Sequence, residues 1–134
     1  MLATWVAVLG GFLGLHRFYL RGLSDPWGWV HAAAAFLGLM GIQRVRSLGV
    51  DDAAATFLMP LLGLSISAAM LAAIVHGLTP DERWAQRHHP DIGVVPSGWG
   101  PVLGVVLALM LGATALMATV AFAGQRLFEA MLGV

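Results

Sequence analysis

Cysteine and lysine are both absent from this chain of 134 residues. Without cysteine there is no disulfide, no thiol nucleophile and no thiolate metal site. Charge is scarce too: Asp, Glu, Lys and Arg together make 10% of the residues, against about a quarter in an ordinary soluble domain. Seven Arg balance seven Asp and Glu, so the formal net charge is zero. That balance gives no basic surface for nucleic acid. The marks of catalysis are missing as well. There is no Ser beside a base in a recognisable motif, no carboxylate pair inside an apolar run and no glycine-rich phosphate loop. Ser65 and Ser67 have no acid near them in sequence. No catalytic residue, metal site or cofactor is expected.

What the chain does have is apolar length. Hydrophobic residues make up 59% of it, and mean hydropathy is +0.84. A globule this small needs more polar surface than these residues supply, so the excess must face lipid. The expected architecture is an all-α polytopic membrane protein, one domain over residues 1–134, in a bacterial inner membrane. The Ala- and Arg-rich, Lys-free composition is the association behind "bacterial".

A helix needs roughly 20 residues to cross a hydrocarbon core of about 30 Å. Four segments are candidates. The first is Leu2 to about Leu20. Its apolar part lacks a preceding basic residue and a small-x-small cleavage site, so it reads as a retained helix and not a leader. The turn Arg21 to Pro26 follows, where Ser24 or Asp25 can cap the next helix and Pro26 fits its first turn. The second segment is Trp27 to about Gln43, with Arg44 and Arg46 at its exit. The third is Ala53 to Leu78, with Pro60 expected to kink it and Ser65 and Ser67 able to bond the backbone or a neighbouring helix.

The polar connection 79–100 should hold a short interfacial helix, about Pro80 to His88, with Thr79 as cap and Glu82 three residues on. The fourth segment is Pro101 to Gly124, followed by a short amphipathic tail. Four crossings put Arg17, Arg21, Arg83 and Arg87 on one side and Arg44, Arg46 and Arg126 on the other. The first helix usually weighs most in orientation. Its basic residues follow it, so the Arg17–Arg21 turn is expected in the cytoplasm and both termini outside.

The most distinctive string is Gly10-Gly11-Phe12-Leu13-Gly14-Leu15-His16-Arg17-Phe18-Tyr19-Leu20. Gly10 and Gly14 are four apart, which on one helix face would admit a second helix closely. Gly100-x3-Gly104 and Ala108-x3-Gly112 repeat that spacing. Arg17 would cost roughly 2.5–3.5 kcal/mol at a bilayer centre, so it belongs near the headgroups, with Asp25 the nearest acidic candidate. Phe18 and Tyr19 suit that depth. His16 and Arg17 read as an interfacial anchor, or as a contact to a headgroup or partner. His31 and His76 lie near segment ends and read as hydrogen-bonding residues. His88, His89 and Asp91 hold ligand atoms, but adjacent helical residues point about 100° apart, which argues against a shared metal.

The string resembles the TM2 domain, a two-transmembrane-helix family, through Gly14, His16, Arg17, Phe18, Tyr19 and Leu20. Arg21 stands where the family usually has Gly. The resemblance covers about residues 3–45 and implies a membrane hairpin over residues 2–45, not a reaction. The expected role is a small non-enzymatic protein that binds or organises membrane proteins or lipids, with the bilayer and a membrane protein partner or second copy as its contacts. The alternative is a small oligomeric transporter or channel, lined by His31, Ser65, Ser67, His76, Thr114 and Thr119.

Overall fold

The computed structural model describes residues 2–88 and 90–133, and all its regular structure is helical. The order is α1 (Leu2–Gly10), a 3₁₀ turn (Gly11–Leu13), α2 (Leu15–Arg21), α3 (Pro26–Leu48), α4 (Ala53–Leu78), α5 (Asp81–His88) and α6 (Gly100–Leu132). The third expected segment matches α4. α3 continues through Arg44 and Arg46, and the expected amphipathic tail continues α6 as one helix. Thr79 does not open α5. It closes α4, its hydroxyl donating to the Val75 carbonyl at 2.6 Å.

α4 is the central helix and packs against α3, α6 and α1. Its core is made of small residues: Ala7, Ala69, Ala73 and Ala108 are fully buried together with Met70. Glycines bring the backbones close. A Cβ on Gly38 would lie 2.5 Å from the Leu62 amide nitrogen, and one on Gly41 would lie 2.6 Å from that of Met59. Gly104 faces Thr4 and Gly112 faces Met70, so these small residues pack within the chain.

These contacts fix directions. α3 is antiparallel to α4, since His31 meets Ser65 while Gly41 meets Met59. α6 is antiparallel to α4, since Gly77 lies by Val105 and Gly63 by Thr119. α1 also runs against α4: Thr4 lies by Gly77, Gly11 by Ala69, and the Phe12 carbonyl reaches Ser65. α1 thus starts level with the end of α4 and stops about halfway along it.

The single first helix, Leu2 to Leu20, is not formed. Gly14 takes a left-handed φ of 79° and divides α2 from the 3₁₀ turn. Each interior glycine weakens a helix by about 1 kcal/mol relative to alanine, and three of them crowd into five residues here. Gly10 and Gly14 therefore share no helix face. Gly10 lies against its own Leu15, whereas Gly14 lies against Gly28 of α3.

The chain then returns through α2 to the start of α3. Leu2 and the Arg21–Asp25 turn consequently sit at one end of the bundle. The α3–α4 turn sits at the other with the last turns of α6, where Arg126 bonds Asp51 and the Val50 carbonyl. Neither four crossings nor termini on one side fits this path. Two helices, α4 and α6, are long and apolar enough to cross a membrane. α1 is too short, and Trp27, Trp29, His31 and Gln43 dilute the apolar character of α3.

Gly14 and Gly22 both hold positive φ, at 79° and 80°, but only Gly14 is crowded, since a Cβ there would overlap the Gly28 carbonyl oxygen. Alanine at either position incurs a backbone cost of about 1–3 kcal/mol. Gly14→Ala must in addition push α3 away. Thermal melts in detergent should show Gly14→Ala losing clearly more stability than Gly22→Ala. Equal losses would mean the close approach of α2 to α3 does not matter.

Candidate functional site

Three elements converge where α2 turns into α3. Asp25 is the N-cap of α3 and accepts from the Trp27 amide at 3.1 Å. A carboxylate there also meets the positive end of the helix dipole. Arg17 donates to it through Nε at 2.8 Å and Nη2 at 3.5 Å. Phe18 fills the space left by Gly28 and meets Trp29 edge-on. Trp29 in turn donates to the Leu23 carbonyl at 2.9 Å. Tyr19 points outward and is exposed.

Beneath this turn lies a file of polar groups. His16 is buried to 3% exposure, and its Nδ1 has no hydrogen-bond partner. Its ring centroid is 5.3 Å from that of His31 and 6.3 Å from that of His76. His31 Nδ1 and the Ser65 hydroxyl are 2.9 Å apart, and Ser65 also bonds the Phe12 carbonyl at 2.8 Å. His76 continues outward to Trp84, on which His88 stacks. The file therefore runs from the middle of α4 to α5. Among the described residues no group of His, Asp and Glu is arranged to hold a metal ion. His89 lies outside the described residues.

An open groove of about 310 Å³ lies between α2 and α4, and His16, Arg17, Arg21 and His76 form its polar part. At the opposite end of the bundle a second Arg–Asp pair repeats the first. Arg44 donates to Asp52 at 2.7 and 2.8 Å, and Asp52 caps α4 through the Ala55 amide. Both pairs have a separation of eight residues. Each joins an arginine of one helix to the N-cap of the next.

Comparison with family models, curated proteins and solved structures returned no match. The site therefore rests on its own geometry.

Of the residues singled out in the sequence, Gly14, His16, Arg17 and Phe18 come together at the turn. Gly10 and Tyr19 do not join them. The assembly of His16 with His31, His76 and Ser65 was not read from the sequence, because the contacts join four separate elements. The Arg44–Asp52 pair was readable. The repeated Arg-x7-Asp spacing across two turns was its signal.

The Arg17 hydrogen bond holds the Asp25 carboxyl below its ordinary 3.8. Arg44 acts likewise on Asp52, and the Ser97 hydroxyl and amide on Asp81. A carboxyl more acidic in the folded than in the unfolded chain stabilises the fold fully above its unfolded value. It loses that contribution as pH falls through 3.8 and below. Melts of the wild type and Asp25→Asn should converge as pH falls below about 4, the wild type being the more stable at neutral pH. A gap independent of pH would show that the Asp25 charge contributes nothing. The asparagine can still cap α3, so the comparison isolates the charge.

Proposed function

We propose that this chain is a small multi-pass protein of the bacterial inner membrane that binds or organises membrane lipids or proteins and performs no reaction. The observation that carries this reading is α6. Its most apolar stretch is only 6% buried against the rest of the chain, and Leu103, Leu109, Met110, Met117 and Val120 are exposed. An apolar face of that length far exceeds what a monomeric soluble surface tolerates. At 33 residues, α6 extends about 50 Å, longer than a bilayer core.

In this reading α3, α4 and α6 cross the bilayer, while α1 and α2 form a re-entrant hairpin that dips in and returns. Non-helical backbone at membrane depth is tolerated only where protein surrounds it. The 3₁₀ turn is covered by protein on one side, where Ser65, Ala69 and Gly28 lie against it, while Leu13 faces outward. The TM2-like string is then the turn of the hairpin and its return arm. The end carrying Arg17, Arg21, Arg83 and Arg87 faces the cytoplasm, following the positive-inside tendency.

The histidine file favours a second reading, an oligomeric transporter. Its candidate lining divides, however. His31, Ser65 and His76 belong to the file, whereas Ser67, Thr114 and Thr119 donate to carbonyls within their own helices. Beyond Ser65, Gly38 and Gly41 press α3 against the α4 backbone.

Carbonate washing of membranes from expressing cells tests the first reading. The chain should stay in the pellet, and a photoreactive side chain at Met110 should form adducts with lipid or another membrane protein. Recovery of monodisperse chain in the wash would overturn it. Proton flux in proteoliposomes that is lost in His31→Ala would favour the transporter instead.

A further inference from the structure

The groove between α2 and α4 combines features that the anchor role of Arg17 does not need. It holds about 310 Å³, and its floor is apolar, formed by Leu71 and Val75 among others. Both of these side chains are largely exposed. Its polar end gathers His16, Arg17, Arg21 and His76. The nearby acidic group is Asp25, which Arg17 already engages and on which Arg21 also acts. Two guanidinium groups facing one carboxylate leave an excess of one positive charge. Among the described residues Arg21 makes no ion pair of its own.

His16 forms part of the groove wall and is almost fully buried, with its Nδ1 turned toward Gly11.

We propose that this groove binds the anionic headgroup of a membrane phospholipid, its phosphate held by Arg21 and Arg17 and its acyl chain laid along Leu71 and Val75. The proposal rests on the membrane reading above and names the lipid class. Charge complementarity selects an anion, since guanidinium groups pair with phosphate oxygens through charge-assisted hydrogen bonds. The exposed apolar floor selects an anion that carries a chain. Depth fits as well. Val75 and His76 lie in the last turn of α4, where a headgroup would meet a helix end.

The test uses the full chain in nanodiscs of phosphatidylcholine alone or with phosphatidylglycerol. Bound lipid is read by native mass spectrometry after release into detergent. One phosphatidylglycerol should be retained in preference to phosphatidylcholine. Arg21→Gln should lower that retention roughly five- to tenfold. Arg83→Gln, which removes a charge outside the groove, should leave it unchanged. Arg21 is exposed, so its loss should not unfold the bundle, and an unchanged melt in detergent would check that.

Equal retention of both lipids would overturn the proposal, as would equal effects of Arg21→Gln and Arg83→Gln. Displacement by millimolar inorganic phosphate would place the binding with a soluble anion and also overturn the lipid assignment. Carbonate extraction separates the two failures. A chain that stays in the membrane but shows no lipid preference leaves the membrane reading intact.

Discussion

The fold depends on one hydrogen bond made in an apolar interior. The chain enters the bundle as α1, stops beside the middle of α4, and turns at Gly14. A helix that ends there leaves carbonyls that need partners. The Ser65 hydroxyl takes up the Phe12 carbonyl at 2.8 Å, and His31 shares the same hydroxyl. α4 thereby supplies the broken helix with an acceptor's partner, and α3 fixes the donor in place. Without that arrangement a continuous helix, which satisfies its own backbone, would be favoured over the turn.

Glycine makes the turn possible from the other side. Gly14 supplies the left-handed backbone and lets α2 touch the Gly28 backbone. The vacant space at Gly28 is in turn filled by the Phe18 ring. Two Arg–Asp pairs then close the bundle at its ends, each carboxylate serving as both ion-pair partner and helix cap. The ion pairs thus lie toward the two ends of the bundle. Arg126 extends the same logic, tying α6 to the α3–α4 turn.

Much of the helical content was legible in composition and apolar run length. α4 was delimited to the residue, because Asp52 caps it and the polar 79–81 region follows it. Arg17 and Asp25 were readable as partners because the turn between them is short. The path of α1 was not legible. Apolar residues are equally compatible with a spanning helix and a re-entrant one. The deciding contacts, Phe12 with Ser65 and Gly14 with Gly28, join residues far apart in sequence. The cluster of His16, His31 and His76 was hidden for the same reason. Each His taken alone reads as an edge residue.

The absence of native cysteine makes the path of α1 directly measurable. Single cysteines at Leu2, Ser24 and Ser47, in sealed inverted vesicles, can be labelled with a membrane-impermeant maleimide. A hairpin that turns back at Gly14 places Leu2→Cys with Ser24→Cys, so those two label from the same face and Ser47→Cys from the opposite one. Labelling of Leu2→Cys together with Ser47→Cys would mean that the first helix crosses the membrane, and would contradict this account.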